Sequence, residues 1–545
     1  MADLDVHKVA FPTLDDTQVA ALAKFGARRV LRDGETLFKA GDREYKFFVV
    51  ERGAVEIVEH SSGETKRVAL HERHAFGGDV SLVTGRPALI SAIARGDTEI
   101  FEISTPDIRR VMSERPALGE LLLRAFIARR QLLVASEFQG LRVLGPGSSR
   151  ETFRIRDFLA RNQVPFTWID TDHDPQVGAL LQSFGLSESE TPVVVFGSEP
   201  LLRNPSTREL ADVIGVRRPL TQRVYDLVIV GGGPAGLAAA VYASSEGLAT
   251  AVVDASAPGG QAGTSSKIEN YLGFPTGISG AELANRAILQ AQKFGAQFSS
   301  PSQVARLEFD NDKMLVRFDS EQVSTRCLLI ATGADYRKLD VPNREQFEGL
   351  GIYYAATPTE LQLCSGADVV VVGGGNSAGQ AVMFLSEGTR RVFLLLRGGD
   401  LRKSMSSYLA DRIQGADNVE VLTDAEICRI MGDQWLEAVD IKNLQTGETR
   451  TVHTPAVFTF IGAVPCTTWL PPEIERDSKG FVKTGPLVSA SPYWTAEREP
   501  FFLETSRPGV FAAGDVRFGS TKRVASAVGE GAMAVQFMHE YLRGM

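Results

Sequence analysis

Thiols are scarce in this chain. Its 545 residues carry four cysteines, Cys327, Cys364, Cys428 and Cys466, too far apart to form a C-x-x-C pair or a metal-ligand spacing. The seven histidines make no H-E-x-x-H or related pattern, and no metal site is expected. His71 and His74, three apart in a strand or turn, are expected at the surface. The cluster WIDTDHD (168–174) sets carboxylates beside His173, and a strand end followed by a helix cap accounts for it without a metal. No apolar run approaches the roughly 20 residues that cross a bilayer. The opening MADLDVHKVAF is acidic where a secretory leader would be basic, so the cytoplasm is the expected compartment. A formal net charge of −9 at pH 7 speaks against sequence-independent nucleic-acid binding, which needs a basic face.

Glycine, by contrast, is plentiful at 52 residues, and a chain 43% hydrophobic and 23% charged has the composition of a soluble globular protein. Its length implies three or four domains. Residues 1–115 alternate as short strands with glycine-containing turns, a lone Gly53 standing between two of them, and predict a small antiparallel β-roll. Residues 116–137 follow as a connecting helix with apolar positions every three to four residues. Strand and helix then alternate through 138–216, and the polar RRPLTQR (217–223) links to the remainder. That remainder reads as two α/β domains, one split between 224–343 and 459–545 and the other occupying 344–458.

Two glycine loops mark these α/β domains. In YDLVIVGGGPAGLAAAVYASSEGLATAVVDAS, Gly231, Gly233 and Gly236 follow a buried strand and open an alanine-rich helix. The first glycine permits the turn, the second admits a pyrophosphate to the helix N-terminus, and the third lets helix and strand pack. Asp254, at the end of the second strand, is placed to meet a ribose hydroxyl. A late partner, FAAGDV, ends a strand at Gly514 and Asp515, and Asp515 would hold the ribityl or pyrophosphate part of a flavin. DVVVVGGGNSAGQAVMFLSEGTRRVFLLLRG repeats the design with Gly373, Gly375 and Gly379, the helix starting at Asn376 and Ser377. Its last strand ends at Arg397, with Arg402 and Lys403 beyond, and cations there favour the extra phosphate of NADP over NAD.

At these residues the chain resembles the low-molecular-weight thioredoxin reductases over roughly 225–545. The matching segments come in the family's order: GGGPAG with Pro234 and Ala235; PGGQAGTSSKIENYLGFP with Gly260, Gln261 and Asn270; LLIATGA with Ala331, Thr332 and Gly333; VVVGGGNSA; and GVFAAGDV. The resemblance implies FAD, an inserted NAD(P) domain, a homodimer, and two domains that rotate to exchange substrates at the flavin. Three departures stand out. The Cys-Ala-Thr-Cys segment of the family reads Ala355-Ala356-Thr357-Pro358, the paired arginines read Arg397-Gly398, and the Arg-Gln-Ala near the flavin ring reads Arg523-Val524-Ala525. A thiol relay needs an attacking and a resolving sulfur. Cys364, expected at the start of the next strand, stands alone and reads as a buried small hydrophobe, so no catalytic residue is assigned. A subgroup of this fold without the cysteine pair reduces ferredoxin or flavodoxin.

Two further resemblances lie upstream. ETLFKAGDREYKFFVVERGAVEIVEH and HAFGGDVSLVTGRPALISAIA resemble a cyclic-nucleotide-binding domain, with Gly78, Asp79 and Ser81 in register with its ligand cassette. Ala88 stands where the phosphate-binding arginine belongs, and Arg86 is two residues early. Loss of that charge-assisted contact costs about 1.5–3 kcal/mol, so weak or absent cyclic AMP binding is expected. LRVLGPGSSRETFRIRDFLARN and ETPVVVFG resemble a thioredoxin or glutaredoxin fold, Thr191-Pro192 matching its cis-proline. Ser148 and Ser149 replace its two cysteines. The residues leave three functions open: a dithiol-free FAD-dependent NAD(P)H oxidoreductase serving a protein carrier, a quinone or a small oxidant; a non-catalytic nucleotide or redox sensor; and a disulfide reductase with a non-standard thiol.

Overall fold

The computed structural model describes every residue except 1–5, 62–63, 136–139, 174–176, 184, 197–200, 311–312, 320, 434 and 545. The chain forms two compact units, Met1–Pro146 with Asn162–Arg218, and Gly147–Arg161 with Pro219–Met545.

In the first unit an antiparallel sheet runs in the order Gly26–Leu31, Ser91–Ile103, Phe47–Ser61, Glu64–His71, with Thr36–Phe38 and Phe76–Gly77 pairing off this path. The segment around Gly53 is one long strand rather than two. Gly53 sits inside it at φ +81, where a Cβ would meet the Asp97 carbonyl oxygen at 2.6 Å, so the kink is absorbed as a register shift. His71 is likewise not a surface residue. It ends strand Glu64–His71 on the inward side, 4% exposed, against the rings of Phe11 and Phe48, while its neighbour Leu70 faces out. His74 adopts φ +67 in the following turn, half-buried. Helix Pro116–Ala135 follows helix Thr105–Glu114, whose N-terminus is capped by Ser104 and begun by Pro106.

A second sheet of this unit has the order Leu201–Arg203, Val193–Phe196, Leu141–Gly145, Thr167–Asp170, with a cis Thr191–Pro192 peptide before Val193. His173 lies 2.9 Å from Asp170 at the strand end. The helix-cap part of that expectation falls on Asp174, outside the described residues. Among the described residues no three His, Cys, Asp or Glu side chains cluster as metal ligands, and no helix is long and apolar enough to cross a membrane.

The second unit contains two parallel sheets. The first has Gln297–Ser299, Thr250–Val253, Val224–Val230 and Glu321–Ile330 in order, joined by Val510–Ala512 from far along the chain and by the ribbon Val304–Asp310 and Lys313–Phe318. The second, Ile352–Tyr353, Ala456–Thr459, Asp368–Val372, Arg391–Leu395, Val419–Leu422, is thus inserted into the first. Strands Ala334–Tyr336 and Ala463–Pro465 pair where the chain leaves and returns. The apolar runs VIV and VVVV are buried on both faces, as parallel strands flanked by helices must be. Helix Val524–Arg543 packs on helix Pro234–Ser245 so closely that a Cβ at Gly531 would lie 2.1 Å from the Ala235 carbonyl oxygen.

Candidate functional site

Of the helix N-termini in the second unit that carry no side-chain cap, three belong to the segments singled out in the sequence. Helix Pro234–Ser245 begins at Gly233, helix Asn376–Ser386 at Gly375, and helix Val524–Arg543 at Arg523. Their first N–H groups have no intrahelical partner and need an acceptor from elsewhere. At the first loop each glycine has a distinct reason. Gly231 sits at φ +106 and a Cβ there would lie 2.3 Å from the Ala331 carbonyl oxygen. At Gly236 a Cβ would lie 1.9 Å from the Gly231 carbonyl oxygen, whereas at Gly233 it would meet only Gly260 Cα at 3.9 Å. Gly233 is therefore not required by the loop's own packing. The second loop repeats this: Gly373 is pinned at φ +144 against the Phe460 carbonyl, Gly379 against Met405, and Gly375 faces open space. Both loops fit a dinucleotide pyrophosphate.

Of the remaining predicted residues, Asp254 and Gly260 lie against the first loop. Asp254 is half-buried; its carboxylate accepts the Gly232 N–H at 2.8 Å and the Ser256 N–H at 2.9 Å, and desolvation raises its pKa against these bonds. Its visible work is to brace the glycine loop. Gln261 donates its side-chain amide to the Ala334 carbonyl, and Thr332 donates to the Cys466 carbonyl at 2.8 Å. Asn270, Gly260, Arg523 and Ala525 are exposed, with Val524 and Gly333 half-buried. Asp515 follows Gly514, which has φ +77, and burial pushes its carboxyl upward. In the second domain Asn376 accepts the Ser406 N–H at 2.7 Å. Arg397 is exposed and pairs loosely with Glu426 at 3.4 Å, whereas Arg402 is held by Asp411 and Gln414.

Several residues went unseen in the sequence. Tyr336 packs edge-on against Phe460, and burial raises its pKa, with the Ser377 side chain working against that rise and the Asp515 charge adding to it. Glu530 accepts the Gly514 N–H at 2.7 Å and pairs with Arg517, holding the turn before Asp515. Its one signal was a lone carboxylate in the small-residue run SAVGEGAMA. Glu269 of the first domain accepts from Arg412 of the inserted one at 2.6 Å.

The segment at 355–358 is built differently. Ala355 and Ala356 are buried, and Thr357 caps helix Pro358–Leu363 in a complete capping box with Glu360, whose carboxylate accepts the Thr357 N–H at 2.8 Å. Glu360 is 2% exposed, and burial raises its pKa. Cys364 is not at a strand start. It caps the C-terminus of this helix, donating its thiol to the Glu360 carbonyl at 3.3 Å, and burial with nearby Glu360 pushes its pKa up to about 12. All four cysteines are unpaired thiols. Helix Arg150–Arg161 packs on this segment. Phe153 meets Tyr353 with ring centroids 5.6 Å apart, Arg156 donates to Gln362 at 3.0 Å, and Arg150 donates to the Glu345 carbonyl. Ser149, at the second missing sulfur, caps that helix through the Thr152 N–H at 3.3 Å.

The N-terminal cassette is closed in the same manner. Asp79 caps the short helix Val80–Thr84 by accepting the Ser81 N–H, and also takes Tyr45 and Arg130, each at 2.9 Å. Gly78 has φ +137, and Ser81 is fully buried. Arg86 is buried and donates to the Asn162 carbonyl at 2.8 Å.

Comparison with known proteins agrees with this architecture. Residues 225–531 match the family described as pyridine nucleotide-disulphide oxidoreductase, and residues 28–115 match the cyclic nucleotide-binding domain. The thioredoxin reductase of Treponema pallidum is 35% identical over 323 residues, 58% of this chain and 97% of that protein. The 34.2 kDa protein in the rubredoxin operon of Clostridium pasteurianum is 32% identical over 328 residues, 59% of this chain and 99% of that one. The crystal structure of the thioredoxin reductase from T. acidophilum superposes with a TM-score of 0.53 at 29% identity, covering 58% of this chain and 99% of that chain. With two uncapped glycine loops in interleaved parallel sheets and a family match over more than half its length, this chain belongs to the pyridine nucleotide-disulphide oxidoreductases, with a thioredoxin reductase-type fold and an added N-terminal cyclic nucleotide-binding domain.

Proposed function

We propose that the protein is an FAD-dependent NAD(P)H oxidoreductase whose electrons leave without a protein dithiol. One observation carries this reading: where its relatives' fold would place a redox pair, a buried Ala355-Ala356 and a self-satisfied Thr357–Glu360 capping box stand instead. Cys364, held neutral by burial, offers no attacking thiolate near pH 7, and one sulfur cannot both attack and resolve. FAD, when bound, accepts hydride from a nicotinamide and releases electrons to an acceptor.

The chain's own residues supply binding and order. The uncapped N-terminus after Gly233 and the one after Gly375 would each take a pyrophosphate, and Arg523, Val524 and Ala525, at a third uncapped helix start, would serve the flavin. Tyr336, ending the strand where the chain leaves the first domain and edge-on to Phe460 of the second, would align the two halves. Arg397, exposed and weakly paired, would select the 2′-phosphate of NADP. As in related enzymes, a homodimer is expected, and the acceptor would be a small oxidant, a quinone or a small redox protein.

The test is anaerobic titration of the purified yellow protein with NADPH and NADH, followed by acceptor screening. Prompt bleaching by either, with electrons passing to a quinone or ferricyanide but not to thioredoxin disulfide, is the expected result. A flavin that neither nucleotide bleaches would leave a nucleotide-binding sensor in its place. Efficient thioredoxin reduction abolished by Cys364→Ser would overturn the dithiol-free route.

A further inference from the structure

The β-roll encloses a cavity of about 280 Å³, lined from strand Glu64–His71, the cassette after Gly78 and helix Pro116–Ala135. It lies where a cyclic nucleotide would be expected, yet its interior has been rebuilt against an anion. Ala88, Leu89 and Ile90 form the wall at the missing arginine. The Ala88 N–H is already donated to the Asp42 carbonyl at 3.0 Å, and its carbonyl accepts the Gly41 N–H at 2.8 Å. Arg86 is turned to the Asn162 carbonyl and does not line the space.

The other inner charges are also taken. Asp79 is held by Tyr45, Ser81 and Arg130. Arg129 donates to the carbonyl oxygens of Ala10, Gly78 and Phe76 at 2.8, 2.6 and 2.9 Å. Lys66 and Arg67 also line the space, but both are exposed and keep their charges in solvent at its rim, while Glu59, 5% exposed, puts a carboxylate in the lining. A phosphate drawn into the interior would leave the rim cations Lys66 and Arg67 behind and would meet, among the described residues, an Arg129 already bound to three carbonyl oxygens, which makes its transfer costly. The walls instead are Phe11, Phe38, Tyr45, Ile57, Leu132 and Leu133.

His71 lines the cavity at 4% exposure, and its ring makes no hydrogen bond among the described residues. Burial and Arg129 lower its pKa to about 3, so it is a neutral imidazole able to donate or accept. We propose that this cavity binds a neutral, largely apolar small molecule bearing one hydroxyl or carbonyl, which pairs with His71, and that it does not bind a cyclic nucleotide.

The full chain can be titrated with the neutral fluorophore N-phenyl-1-naphthylamine, with 2-naphthol and naphthalene as competitors, and with cyclic AMP and cyclic GMP by calorimetry. The fluorophore should bind with one saturable site, weakened at least about tenfold by Leu133→Trp, which fills the cavity. Ala88→Leu, a smaller filling change, should weaken it in the same direction if Leu133→Trp does not fold. 2-Naphthol should displace the fluorophore about five- to tenfold better than naphthalene, an advantage lost in His71→Leu. Cyclic nucleotides should give no saturable heat up to ~1 mM. Saturable cyclic nucleotide binding, a fluorophore that does not bind or is indifferent to both filling variants, or no advantage for 2-naphthol would each overturn the proposal.

Discussion

Single side chains decide how this protein handles thiols and protons. Cys327 and Cys364 are buried and their thiol pKa values raised, Cys466 is half-buried and pushed up to about 12, and Cys428 is exposed. Alkylation of the native protein at pH 8, read by mass spectrometry, should label Cys428 first, with Cys327 and Cys364 reacting only after denaturation. Cys364→Ala should leave flavin reduction by NAD(P)H within about twofold of wild type, since an ordinary small-for-small change at a buried site costs about 1 kcal/mol of stability and no chemistry. His71 offers a pH signature. Its pKa falls from 6.5 unfolded to about 3 folded, so the unfolded state binds the extra proton between these values. Stability from the neutral, buried ring is therefore complete above pH 6.5 and lost as pH falls toward 3, about 2 kcal/mol of it by pH 5. Thermal melts of the wild type and His71→Phe between pH 7 and pH 4.5 should show a slope in the former that is shallower in the latter.

Helix ends carry the functional contrast at the scale of elements. Where the fold expects a reactive or binding group that this chain lacks, a side chain closes the helix: Thr357 with Glu360, Ser149, and Asp79. Where it expects a nucleotide, Gly233, Gly375 and Arg523 leave the end open. Thr357→Ala should lower stability by about 1–3 kcal/mol in denaturant melts without changing flavin content, because it removes the cap hydroxyl together with its hydrogen bond to the buried Glu360 carboxylate. Gly233→Ala should yield a folded protein that retains FAD poorly, since a Cβ meets only ordinary contact inside the chain; Gly231→Ala should impair folding itself. Visible absorbance per mole of purified protein separates the two outcomes.

For the whole molecule, the relevant comparison is with relatives that match only the C-terminal portion of this chain. Residues 219–545 expressed alone should bind flavin and oxidise NAD(P)H, but with a Tm several degrees below that of the full chain. The truncation removes helix Arg150–Arg161, and with it the Phe153–Tyr353 packing and the Arg156–Gln362 hydrogen bond over the 352–364 segment. A truncated protein equal in Tm to the full chain would show that this helix contributes nothing there. The Arg397→Ala full-length variant should raise KM for NADPH about tenfold and leave NADH unchanged, one charge-assisted phosphate contact being worth that much.

The local sequence by itself determined the glycine loops, the missing thiols, the cis-proline strand and the substitution at Ala88, because each depends on residue type at fixed short spacing. Strand alternation and a helix near 116–135 were legible for the same reason. The tertiary structure alone decided where isolated polar residues point. His71 looked like a surface residue until the roll turned its strand face inward, and Cys364 moved from a strand start to a helix end because the Thr357–Glu360 box extends that helix to its neighbour. Tyr336 beside Phe460, Glu530 beside Gly514 and the Glu269–Arg412 pair join residues 16 to 143 positions apart, a proximity no local pattern encodes. Short-range chemistry is written along the chain, whereas burial and long-range pairing come into being only when non-local segments pack.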